Sequence, residues 1–494
     1  MKTCIIIGGG IGGLVTGAML AKEGYQVTVL EKNAIIGGGL QTFKRRGVSF
    51  PTGMHIFGGF QEGGNLRQIF EYLGVMDEIS LRPTDEEASD VVTLMNEGVT
   101  YQLPRGKEPY IAYLSEQFPA EKEHIKDYID RLFELSEEED LFYLRETSAD
   151  HLSHTDDFLS SVNALRNRYI SDSKLKALLG YLNPLFGGDP QTTPAYIHAL
   201  LNTLHINGTF QFVGESQQLA EALTKIIENA GGQVIANEEV VKIEVENRQV
   251  TSILTSKGHR YQADNYISDV HPDVLLRIID PQAFTTAFKT RIQSVPETMS
   301  SFKVFVKFKE NAFPYQNHAH FCLSEGDDWL QSLMFVTPPI EHQGEFAETM
   351  VIISPMDFSV VKQWENTCTG HRGEEYEQWK QKTIDKVLDF MERLYPDFRE
   401  KIEFSFASSP LTIRDYYGNK EGSNYGFQKD SNNLILSQMS VSTKVKNLFL
   451  TGQNVNIHGL CGVSLTAIET AEALVGRNTI VRKINENQRR KKQG

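Results

Sequence analysis

Hydrophobic and polar positions divide the chain into segments of different period. Residues 2 to 7 form a short β-branched run that ends in glycine, Leu14 to Glu23 carries helix formers up to Gly24, and a second apolar run, Val27 to Leu30, ends at Glu31. A strand, helix, strand unit therefore opens the chain. Two β-rich runs between Asp90 and Leu103 flank Asn96-Glu97-Gly98 and predict a hairpin. Residues 119 to 185 read as helical, with Glu137 to Asp140 as a solvated face, and residues 211 to 270 return to α/β character. Ser300 to Lys309, Ser332 to Thr337 and Met350 to Ser354 are strand candidates. In the first, period two puts Phe302, Val304, Val306 and Phe308 on a buried face and leaves Lys303 and Lys307 on a solvated one. Tyr376 to Leu394 predicts an amphipathic helix ending before Pro396. A strand at Asn447 to Leu450, a glycine-rich loop and a helix from about Val463 to Leu474 follow.

Composition bounds the function. With 494 residues, 40% of them hydrophobic, the chain can bury two or three cores or one large discontinuous core. Lys plus Arg number 49 against 64 Asp plus Glu, and the net charge of -15 repels phosphate backbones, so nucleic acid is excluded as a partner. Cys4, Cys322, Cys368 and Cys461 lie far apart without paired spacing, which predicts neither a metal site nor a disulfide framework and fits a reducing, cytoplasmic compartment. No run approaches the roughly 20 apolar residues that span a bilayer. The expectation is a soluble or peripheral protein.

Gly8, Gly10 and Gly13 make G-x-G-x-x-G directly after the first strand, with Ile11 and Gly12 between the last two glycines. The spacing allows a tight turn, close approach of backbone to a pyrophosphate at a helix N-terminus, and packing of helix on strand. Glu31, 23 residues past Gly8, ends the second strand where a carboxylate accepts from ribose hydroxyls and repels a 2′-phosphate, with Lys32 beside it. The ligand is then FAD or NAD. A second glycine loop, Gly37-Gly38-Gly39 followed by Leu40, and the turn-prone stretch Phe50 to His55 that contains Met54, suit the longer FAD.

These features resemble the FAD-dependent phytoene desaturase, carotenoid isomerase and retinol saturase family, within the wider fold of the flavin amine oxidases, over nearly the whole chain. The resemblance implies an α/β fold: a discontinuous Rossmann-like FAD-binding domain formed by residues 1–80, 206–285 and 405–494, with an α+β substrate domain inserted as residues 86–205 and 286–404. Gly214-Glu215-Ser216 with Val240-Val241-Lys242-Ile243 resembles the family's second cofactor block, in which backbone near Val240 contacts adenine. In the run Asn447 to Leu474, Gly452 and Gln453 would approach the ribityl phosphate arm, and the helix beginning near Gly462 and Val463 would aim N–H groups at the flavin. Many relatives have arginine where this chain has Gly39, and many have an acidic residue where it has Gln453. Both departures remove charge near the cofactor.

The resemblance is closest to the saturase and isomerase branch, in segments such as Ser409 to Tyr416 and Gly422 to Gly426. It implies an apolar polyene or isoprenoid held over the flavin, with peripheral membrane contact and an electron donor or acceptor that the chain does not identify. His55 would reach the flavin and transfer a proton or polarise a double bond, unless it is structural. Lys303 resembles the strand lysine that holds a water near the flavin in amine oxidases, against its solvated-face reading above. Tyr416, Tyr417 and Tyr425 are candidates for the aromatic cage an amine oxidase needs. The other readings are an amine oxidase, a redox-neutral isomerase and a non-catalytic lipid carrier of the same fold.

Overall fold

The computed structural model describes residues 1–147, 154–324 and 332–493. Strand β1 (Thr3–Ile7), helix α1 (Ile11–Lys22) and strand β2 (Gln26–Leu30) are followed by the hairpin of β3 (Asp90–Leu94) and β4 (Val99–Leu103). Helices α2 (Lys122–Glu137) and α3 (Ala195–Ile206) come next, then β5 (Gln233–Ile235), β6 (Asn265–Ser268), β7 (Ser300–Phe308), β8 (Ala319–Leu323), β9 (Ser332–Val336) and β10 (Thr349–Met356). Helix α4 (Glu374–Leu394), β11 (Ile402–Ser408), β12 (Leu448–Leu450) and α5 (Gly459–Val475) complete the framework. Residues 148–153, part of the span read as helical, lie outside the described residues.

Two sheets organise the molecule. The first is parallel, in the order β5-β2-β1-β6-β12, so strands from three distant stretches of chain lie side by side. Helix α1 is apolar on all sides and buried on nearly all of them, which a helix can be only inside a protein. It packs between α5 and the helix Gln217–Asn229. The second sheet has seven strands in the order β11-β7-β10-β9-β8-β3-β4, antiparallel except where β8 lies parallel to β3.

The seven-stranded sheet overturns one reading. Strand β7 is buried on both faces, and Lys303 is 6% exposed instead of solvated. Phe302, Val304, Val306 and Phe308 pack toward α4, as period two requires. The opposite face is covered because the hairpin Thr42–Arg45/Val48–Pro51 lays Phe43 and Phe50 edge-on against Phe305. Only Lys307, nearer the strand's end, reaches a surface carboxylate, Glu348, at 3.5 Å. The run Glu137 to Asp140 is also not a continuous solvated face: α2 stops at Glu137, and Glu139 turns inward toward Glu469, where burial pushes its carboxyl up to about 7.

Candidate functional site

A single cavity of about 1360 Å³ runs from the end of β2, past the start of α1 and the start of α5, and across the seven-stranded sheet. At its first end the turn after β1 is held by short contacts that exclude side chains. A Cβ on Gly13 would lie 2.2 Å from the carbonyl oxygen of Gly8, so helix α1 can pack this tightly on β1 only with glycine there. A Cβ on Gly12 would come 2.9 Å from Cα of Gly452, which itself has φ of +89°. Gly38 is also left-handed, and a Cβ there would lie 3.2 Å from Cα of Gly10.

Glu31 is buried where β2 ends, and its two oxygens accept from the N–H groups of Gly9 and Asn33, each at 2.8 Å. These bonds aim the carboxylate at the cavity and leave lone pairs for a ribose. Gly8, Gly10, Ile11 and Gly12 line the cavity on one side of it, and Lys32 and Val240 on the other. Gly38, Gly39, Gly452 and Gln453 line the next stretch. Leu40, read as a cofactor contact, is instead wholly buried in the core and does not reach the cavity. Gly13 is likewise internal, in its packing role.

Farther along, Met54, His55, Lys303, Gly462 and Val463 surround the middle of the cavity. The Lys303 ammonium donates to the Thr52 carbonyl oxygen at 2.8 Å, and burial holds it down at about 8. His55 is buried, and neither ring nitrogen has a protein partner among the described residues. Burial, reinforced by the Lys303 charge, keeps its imidazole well below the ordinary histidine range, hence neutral. Gly462 is required for a reason absent from sequence reasoning: a Cβ there would lie 2.6 Å from the carbonyl carbon and oxygen of Ile457, so the loop before α5 folds back onto the helix. Helix α5 also starts at Gly459, before the Val463 expected.

A family model for flavin containing amine oxidoreductases matches residues 11–475. The chain belongs to that family. Its cofactor is FAD, and it is an FAD-dependent oxidoreductase. All-trans-retinol 13,14-reductase of Danio rerio is 24% identical over 96% of this chain and 86% of its own length. Prolycopene isomerase 1 of an Oncidium hybrid cultivar is 24% identical over 91% and 79%, and 4,4'-diaponeurosporene oxygenase of Staphylococcus aureus is 25% identical over 98% and 100%. Among solved structures, an oxidoreductase from Methanosarcina mazei superposes with a TM-score of 0.66 at 16% identity, covering 95% of this chain and 100% of that one. Putrescine oxidase bound to putrescine gives 0.67 at 15%, covering 96% and 99%.

The residues fit FAD. In this flavoprotein the glycine contacts make a backbone cradle, Glu31 is set for a ribose, and the buried ring nitrogens of His55 and Nδ1 of His458, along the same cavity, have no protein partner among the described residues. Three features escaped sequence reasoning. Asp269, just past β6, places its carboxyl between Gly10, Gly12 and Gly452, facing the N–H groups of Gly10 and Gly13. Burial, then the charge of Glu31, pushes it up to about 7. Lys429 is buried with its Nζ donating to the Ser437 carbonyl, and burial lowers it to about 7. The third is His205, discussed below. Of the three cage candidates, Tyr416 is 50% exposed with its carbonyl accepting from Asn33 beside the ribose end, while Tyr417 donates to the Thr52 hydroxyl and Tyr425 tilts over His458. Tyr416 therefore stands apart from the other two.

Proposed function

We propose that this flavoprotein oxidises or reduces carbon–carbon bonds of an apolar polyene or isoprenoid, as a saturase or desaturase does. The observation that carries the reading is the cavity beyond Lys303. Its floor is one row of the seven-stranded sheet, in which Lys303 pairs with Ile353, Ile353 with Met334 and Met334 with Phe321. Three of these four side chains are apolar, and the row spans about 14 Å at about 4.8 Å per strand. Its roof is α3, whose Ile197, Leu200, Leu201 and Leu204 recur at the helical period and line the same space. Three relatives, named above for a retinol reductase, a prolycopene isomerase and a diaponeurosporene oxygenase, support the same substrate class.

Bound FAD supplies two-electron exchange with an allylic carbon. The protein's own work is positional. The floor and roof hold an extended chain by apolar burial, worth roughly 25 cal/mol per Å², and exclude water from the reacting bond. His55, neutral and without a protein partner among the described residues, can hold or give up a proton where the apolar chain meets the cofactor. Lys303, its ammonium fixed on the Thr52 carbonyl, adds a positive charge that disfavours protonation of that histidine. Delivery from a membrane surface belongs to the same proposal. It is supported by the substrate's insolubility and by the exposed Leu159 near the helices that flank the cavity. Among the described residues no single helix is long and apolar enough to cross a membrane.

The test is the organic extract of a pigment-producing host with and without the protein. A polyene of altered unsaturation that appears only with the protein supports the reading. An unchanged pigment profile from a host that makes the flavin-loaded protein contradicts it.

A further inference from the structure

The apolar floor and roof end at a built polar group. His205 continues the α3 stripe, one residue past Leu204 and eight past Ile197, so its ring projects from the same face into the cavity. Its Nδ1 lies 2.8 Å from Oδ2 of Asp90 on β3, and the Tyr181 hydroxyl donates to the same oxygen at 2.8 Å. All three residues are buried. Tyr181 and His205 both line the cavity, and the Tyr181 ring stands edge-on against Phe321, the last residue of the apolar floor.

Position in the sheet fixes the distance. Lys303 on β7 is separated from β3 by β10, β9 and β8, which is four strand spacings, about 19 Å. Asp90 lies two residues before Val92, the partner of Phe321, and therefore shares the face of the floor. A carboxylate that accepts at Nδ1 fixes the proton there and leaves Nε2 with a lone pair. That nitrogen has no protein partner among the described residues, although it belongs to a buried side chain on the cavity wall.

Building on the polyene reading, we propose that Asp90, His205 and Tyr181 form a head-group site that accepts a hydrogen bond from the terminal hydroxyl of the substrate. The preferred ligand is then a polyene alcohol, not a hydrocarbon, whose reacting bond lies near Lys303 and whose hydroxyl lies about 19 Å away. His205 is the specificity residue: a hydrocarbon of the same skeleton leaves its lone pair unpaired in an apolar enclosure, a loss that selects against it.

The test titrates the FAD-loaded protein with two polyenes of one skeleton, one ending in a hydroxyl and the other in a methyl group, both carried in phosphatidylcholine liposomes. Flavin absorbance reports occupancy. The wild type should bind the alcohol about tenfold to a hundredfold more tightly. His205→Leu should lose that preference, binding the alcohol more weakly and the hydrocarbon more tightly than the wild type because no lone pair is left unpaired, and His205→Gln, which keeps a hydrogen-bonding oxygen, should retain part of it. Equal wild-type affinity for the two polyenes overturns the head-group site and leaves the polyene reading intact; this comparison needs no variant. An undiminished preference in folded His205→Leu also overturns it. No response to either polyene overturns the polyene reading, and the head-group site with it.

Discussion

Asp269 makes the sharpest prediction, because its carboxyl stands where the anionic arm of the cofactor must pass. Burial and Glu31 raise it from an ordinary 3.8 to about 7 in the folded chain. Between these values the folded protein holds a proton that the unfolded chain has released, so stability falls as pH rises through that window and the loss is complete above about 7. At about 1.4 kcal/mol per pH unit, ionised Asp269 costs the fold up to about 4 kcal/mol. Asp269→Asn keeps an oxygen for the Gly10 and Gly13 N–H groups and cannot ionise. It should melt above the wild type at about pH 8, with the difference shrinking toward about pH 4. A pyrophosphate favours the neutral carboxyl, so the wild type's affinity for FAD should fall above about pH 7, by up to tenfold per pH unit, while the variant's stays flat. Quenching of FAD fluorescence on titration with apoprotein, from about pH 6 to about pH 9, measures this. A flat wild-type profile, or the same slope in Asp269→Asn, would show that Asp269 does not set the pH dependence of FAD binding.

Other expectations follow from the same cavity. Glu31→Arg removes the acceptor held by Gly9 and Asn33 and should weaken FAD binding by tenfold to a hundredfold, the loss of one charged hydrogen bond of about 1.5 to 3 kcal/mol; retention of full affinity would show that Glu31 does not touch the ribose. Lys303 ionises near 8, so the rate of flavin reduction should change across that pH and lose the limb in Lys303→Met. The same substitution should stabilise the fold at neutral pH, where the buried ammonium costs energy that is relieved only between about 8 and its ordinary 10.5. His55→Ala should cut the rate by about 10² to 10⁴ with FAD still bound if His55 transfers a proton; an unchanged rate reduces it to a packing residue. Gly462→Val forces a side chain onto the Ile457 carbonyl and should release flavin with little loss of helix, measured by absorbance and circular dichroism together.

The cofactor end was legible because its determinants are local. Glycine spacing, a β-branched run and a terminal acid within the first 31 residues specify a turn, a strand and an acceptor that the fold keeps, and β12 with α5 reads the same way. Helix α4 and the β3–β4 hairpin were legible for the same reason, since periodicity and a turn triplet need no distant partner. Lys303 was not. Alternation along β7 places it opposite the packed face, but whether that face meets water depends on a hairpin some 250 residues earlier, which covers it with Phe43, Phe50 and the Thr52 carbonyl. Asp90 and His205 are 115 residues apart and meet only once α3 lies over the sheet. Asp269 carries no spacing signal of its own in the sequence, and only the approach of Gly10, Gly12 and Gly452 makes it part of the cradle.

On the reading proposed above, the long apolar cavity of this FAD enzyme serves a polyene. Anaerobic absorbance of the purified flavoprotein, mixed first with polyenes in liposomes and then with simple amines, tests it most directly. A perturbed or bleached flavin band with the polyene and none with the amine is the predicted result. Rapid bleaching by an amine with no response to any polyene would contradict the claim and assign the cavity to amine oxidation.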